Sequence, residues 1–182
     1  SALYFAALGL GFMLFEISMI QRLVRFLGYP TYSLTVTLAS ILLFTGLGAL
    51  LSKRFADRPR RAVVTSGLAL LALGIAYLFA LNPITDALLQ TPFWFRVITT
   101  VLLLAPLGVC LGMFMPLGLT VVGGLGDHPD EYIAWGWAVN GFFSVIGSVG
   151  TTILAMANGF RTVQIAALCT YGVAILAFMA LD

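Results

Sequence analysis

The chain alternates between long apolar runs of about twenty residues and short polar breaks, the interval expected of helices that cross a hydrocarbon layer about 30 Å thick. Six such runs are predicted: 2–23, 31–52, 62–81, 97–122, 132–158 and 162–181. The breaks between them are short. The reading is therefore all-α: one polytopic transmembrane bundle over 1–182, with no second domain. The segment from Asn82 to Arg96 is expected to include a short interfacial helix, with Asn82 as its N-cap and Pro83 in its first turn.

Composition agrees with the pattern. Hydrophobic residues make up 61% of the chain and charged residues 9%, and the mean hydropathy is +1.07, outside the range of water-soluble domains. The formal net charge of +2 argues against nucleic acid as a partner. The expected surroundings are instead the lipid bilayer and other membrane subunits, a second six-helix unit or further copies of the chain. Five of the nine basic residues, Lys53, Arg54, Arg58, Arg60 and Arg61, fall in one loop, which the positive-inside rule assigns to the cytoplasm. Both termini are then cytoplasmic, and Arg22, Arg25, Arg96 and Arg161 lie on the outer side. Tyr29, Tyr32 and Phe93 to Phe95 mark one interface, and Tyr132, Trp135 and Trp137 the other. Opening on Ser1-Ala2-Leu3, without a basic leader, the sequence looks like a fragment from which an N-terminal domain has been removed.

Few residues offer chemistry. Glu16 is the one ionisable side chain well inside a predicted span, roughly 6 Å beyond its midpoint at 1.5 Å per residue. A carboxylate at that depth must be protonated, paired or open to water, which makes it either a functional site or a member of a structural ion pair. Arg96 and Arg161 are the candidate partners. Asn140, in a row of small and polar residues that includes Ser144 and Gly147, is a second polar group that could share a cavity with Glu16. Gly108 and Gly112 have the small-xxx-small spacing of a close helix contact, and Pro106 and Pro116 in the same span are candidate hinges. The third and sixth spans look uniformly apolar and suited to lipid. Cys110 and Cys169 read as small hydrophobes, and His128 as a loop residue. The glycine-rich loop 123–131 lacks the strand and helix context of a nucleotide site, and no cofactor-binding motif is found. Gly11 and Gly112, and Gly46 and Gly147, recur at the same spacing, which suggests a 3+3 inverted repeat of the transporter kind.

The stretches GLGFMLFEISMIQRLVRFLGYPTYSLTVTLASILLFTGLGALLS, APLGVCLGMFMPLGL and WAVNGFFSVIGSVGTTILA resemble the C-terminal membrane region of spermidine-synthase-like integral membrane proteins. Nearly the whole chain is covered. In that bacterial family, apolar spans are joined to an aminopropyltransferase-like domain, and the membrane part is described as similar to one half of a major facilitator. The resemblance singles out Glu16, Gln21, Arg22, Pro30, Tyr32, Pro116, Trp137, Asn140 and Gly141. It implies a bacterial cytoplasmic-membrane domain in which the first and fourth spans line a central cavity. The family's soluble domain, with its glycine-rich cofactor turn and paired aspartates, has no counterpart here, so the expectation is a non-catalytic, transporter-like membrane domain. The alternatives are an accessory subunit of a larger complex or a membrane anchor for an enzyme.

Overall fold

The computed structural model describes residues 1–124 and 128–181. Among these, all regular structure is helical: α1 (Ala2–Leu27), α2 (Pro30–Ser52), a 3₁₀ turn (Lys53–Phe55), α3 (Pro59–Ala87), α4 (Phe93–Val122) and α5 (Pro129–Met179). Five helices are long and apolar enough to cross a membrane by length and composition. Proline and glycine set their limits. Pro30, Pro59 and Pro129 stand at helix starts, where a missing N–H costs nothing, and Gly28, at φ 92°, turns the chain out of α1.

α5 is 51 residues long but is not one rod. Gly159, at φ 78° and ψ 164°, interrupts it, in a region of backbone space that is essentially reserved for glycine. Asn140 and Ser144 in the first arm, 129–158, pack at Gly9 of α1, while Thr170 and Tyr171 in the second arm, 160–179, pack at Gly11. A straight helix would hold Asn140 and Tyr171 roughly 45 Å apart at 1.5 Å per residue. The two arms therefore fold back on each other as a hairpin.

Contacts fix the direction of every segment. The first arm runs parallel to α1, since Gly136 meets Phe5, Gly9 meets Asn140, and Gly147 meets Leu10 and Met13. The second arm runs antiparallel: the Tyr4 and Phe178 rings lie 5.1 Å apart, those of Phe15 and Tyr171 5.8 Å. α3 runs against α4, through Ser66 to Met113 and Tyr77 to the Leu103 carbonyl. α2 runs with α4, from the Tyr32–Phe93 ring contact to Gly112 against Thr45. Successive segments thus alternate in direction. One end of the bundle carries Ser1, the 53–61 loop and Leu181, with Arg60 donating to the Leu181 carbonyl at 2.7 Å. The other end carries Arg22, Arg25, Arg96 and Arg161.

α1 is the axis of the bundle: 67% of its apolar window is buried, against 22% for α2. Tyr4, Phe15, Phe114, Tyr171 and Phe178 interlock at its centre, and glycines let the helix backbones approach. Such packing is what holds helices together where lipid removes the hydrophobic advantage of association.

Several local expectations change. Asn82 and Pro83 do not begin an interfacial helix; α3 continues through both to Ala87, because proline costs a helix one hydrogen bond and Asn82 is held by Arg22 at 3.0 Å. The third and sixth spans are not featureless lipid-facing helices. Gly67 and Gly74 of α3 receive Ile175 and Leu168 of the second arm, and Gln164 is wholly buried. Leu125 to Asp127, in the glycine-rich loop, lie outside the described residues, and His128 beside them precedes α5 without capping it through its side chain.

Candidate functional site

A cleft of about 550 Å³ lies at the meeting of α1, α2, α4 and the first arm of α5. Its polar lining is Thr45, Asn140, Ser144 and Tyr171; Leu8, Phe12, Gly112, Pro116 and Trp137 supply much of the rest. Two walls stand apart: α2 packs on α4, through Gly48 against Val109 and Gly108 against Phe44, while the first arm packs on α1. Asn140 is tethered rather than free. Its Nδ2 donates to the Phe5 carbonyl at 3.3 Å, and Ser144 Oγ donates to the Asn140 main-chain carbonyl at 2.8 Å. Pro116, on the cleft wall, leaves the carbonyl of Gly112 without its helical donor. Pro106 stands on the outer side of α4, in a shallow groove against Phe44 and Leu47.

Glu16 is 8% exposed and makes no hydrogen bond or ion pair among the described residues. It does not line the cleft itself. Leu8 and Phe12 do, and Glu16 follows them one turn further along the same face of α1, about 6 Å deeper. Glu16 and Asn140 therefore belong to one continuous face at different depths. Neither expected arginine reaches the carboxylate: Arg96 donates to the Phe26 carbonyl at 2.8 Å, and Arg161 lies over the Phe79 ring at 5.5 Å.

Composition and spacing gave no sign of a second polar cluster, at the end of the bundle that carries Arg22. The Arg22 guanidinium donates to Gln164 Oε1, to Asn82 Oδ1 at 3.0 Å and toward the Tyr77 carbonyl at 3.4 Å. Gln164 in turn donates to the Gly74 carbonyl at 3.0 Å. The cluster ties α1, α3 and the second arm together. Its bonds join side chains and backbone of three segments, so it reads as a structural clamp. Arg25 pairs with Asp86 at 3.3 Å nearby, with both side chains largely exposed, and such a pair contributes little.

The remaining candidates divide by role. Gly108, Gly112 and Gly147 are close-contact glycines, each with helix backbone or a rigid side-chain root at van der Waals distance or nearer. The basic residues Lys53, Arg54, Arg58, Arg60 and Arg61 are all exposed, and Arg58, Arg60 and Arg61 border a hollow that includes Asp57 and Leu181. Among the described residues no group of three or more His, Cys, Asp or Glu could hold a metal ion. Cys110 and Cys169 are unpaired thiols.

Compared with known proteins, the chain shows no significant match to a family model, to a curated protein or to a solved structure.

Proposed function

We propose that the chain is a membrane-embedded, non-catalytic six-crossing domain of the spermidine-synthase-like type, built as one half of a transporter. In this reading both arms of α5 cross the bilayer, and the three segments α1 to α3 relate to α4 and the two arms as an inverted repeat. The observation that carries it is a pair of matching contacts. An offset of 99 residues takes Gly9 to Gly108, Leu10 to Val109, Ile41 to Asn140 and Gly48 to Gly147, and each contact in the first set recurs in the second. Gly9 meets the Asn140 carbonyl as Gly108 meets that of Ile41; Gly147 meets the Leu10 backbone as Gly48 meets that of Val109. The spacing of 101 read from Gly11 and Gly46 is close to this value, but Gly46 faces open space and Gly11 faces Tyr171.

Inverted repeats of this kind place substrate sites near mid-membrane between the repeats; in this reading the largely apolar cleft, with Thr45, Asn140, Ser144 and Tyr171 on its wall, takes that place, with Glu16 one turn beyond it. The cleft is walled on two sides and open between them, so a second six-helix unit, or a second copy, would close it. The basic loop faces the cytoplasm in this scheme, together with both termini.

Cysteine accessibility tests the reading. In a background with Cys110 and Cys169 replaced by Ala, Thr45→Cys should react with a membrane-impermeant maleimide at least tenfold faster than Leu43→Cys, which sits on the outer face of the same helix. Equal, slow labelling of both would mean that lipid or protein fills the cleft, and would end the transporter-like reading in favour of a scaffold.

A further inference from the structure

Many helical hydroxyls in this chain return their proton to a carbonyl one turn back, among them Ser40, Thr85, Thr99, Thr120, Ser144, Thr151 and Thr170. Two buried ones make no such bond: Thr37 in α2 and Thr100 in α4 are both wholly buried, yet neither Oγ1 has a hydrogen-bond partner among the described residues. A buried hydroxyl without a partner costs free energy and points to something that the site holds.

The register of α1 and α2 sets Thr37 at the level of the unpaired carboxylate. Ser33 Oγ donates to the Ile20 carbonyl across this antiparallel pair. One turn along each helix brings Thr37 to the level of Glu16. From the other side, the first arm of α5 runs parallel to α1 with Gly147 against Leu10 and Met13. One turn further places wholly buried Thr151 at the level of Leu14 to Ile17, a stretch that includes Glu16. Thr151 gives its proton to the Gly147 carbonyl at 2.7 Å, so its lone pairs remain to accept or coordinate. A carboxylate and two hydroxyls from three helices are thus brought to one level, one turn beyond the cleft-lining part of α1 toward the Arg22 end.

We infer that Glu16, Thr37 and Thr151 form a site for a small, dehydrated monovalent cation of the sodium class. Carboxylate and hydroxyl oxygens are hard donors that suit alkali and alkaline-earth ions rather than soft metals. One carboxylate balances one positive charge; a divalent ion would leave an unneutralised charge in a low-dielectric interior. No other described cation is placed to do this: Arg22 turns toward Gln164 and Asn82, Arg25 toward Asp86, and Arg96 and Arg161 toward Phe26 and Phe79. The inference deepens the transporter-like reading and draws on it only for the route of entry through the cleft.

Purified protein in mild detergent would be titrated with sodium chloride against equal ionic strengths of potassium and choline chloride, with the unfolding temperature as readout and ²²Na⁺ binding as a second measure. The expected result is a saturable, sodium-selective rise in unfolding temperature that disappears in Glu16→Gln and needs at least tenfold more sodium in Thr37→Val. Should a variant fail to fold, ²²Na⁺ binding to the unaltered protein, and its competition by unlabelled sodium but not choline, decides the matter. Equal effects of all three salts, protection that follows proton concentration alone, or full sodium response in Glu16→Gln would each overturn the assignment. Sodium binding in a protein whose Thr45→Cys stays unlabelled would keep the site and remove the transporter.

Discussion

Close packing of α1 on the first arm of α5 makes a graded prediction about three glycines. At Gly9 a methyl group would run into the Asn140 carbonyl and lie 3.0 Å from both the nitrogen and the Oγ of Ser144. Two of these are backbone atoms of a helix whose carbonyl already accepts from Ser144, so relief requires the whole arm to move. Overpacking of this kind costs about 1–3 kcal/mol, which for a chain of this size lowers the unfolding temperature by roughly 2–12 °C. At Gly147 the same methyl would sit 3.1 Å from Leu10 Cα and from Met13 Cβ. A shift of a few tenths of an ångström accommodates it there, and alanine's better helix propensity, up to about 1 kcal/mol, offsets the strain. At Gly150 nothing lies within 4 Å, so only the propensity gain remains. Gly9→Ala should therefore unfold well below the unaltered protein in a detergent melt, Gly147→Ala close to it, and Gly150→Ala at or slightly above it. A Gly9→Ala protein as stable as Gly150→Ala would refute the packing of these helices as described.

Other positions make separate tests. Gly159→Ala forces a side chain into backbone space that disfavours it and should cost about 1–3 kcal/mol, read as a lower melting temperature and faster proteolysis near residue 159; no change would mean that the hairpin is absent. Gln164→Leu removes the link between Arg22 and the Gly74 carbonyl and should cost about 1–3 kcal/mol, whereas Gln21→Leu, on an exposed neighbouring position, should leave the melt unchanged. Equal effects of the two would remove the structural clamp.

Element positions were readable because hydropathy and proline act locally. The Gly28-Tyr29-Pro30 turn lies where expected, between α1 and α2, and the gap expected between 158 and 162 contains Gly159. Helix ends moved by several residues, at Asn82 and Phe93 most clearly, since polar and aromatic interfacial residues still continue a helix when neighbours satisfy them. Partner choice was not readable. A stripe of small residues marks a face but not the helix that meets it, so Gly9, against Asn140, escaped notice while Gly46, which meets nothing, did not. Gln164 was overlooked in an apolar run because a single amide scarcely changes hydropathy. Glu16 is buried, but the residues proposed to share its site, Thr37 and Thr151, stand 21 and 135 positions away, and only the registers of three packed helices set them at one level.

Sidedness tests the six-crossing architecture most directly. With native cysteines replaced by Ala, single cysteines at Ala56, Leu89, Ala157 and Ala180 would be labelled in sealed, oriented vesicles with an impermeant maleimide. The architecture predicts that positions 56 and 180 react from one side and positions 89 and 157 from the other. Position 180 reacting from the side opposite to 56 would mean that α5 crosses only once, and would contradict the hairpin, the inverted repeat and the cleft together.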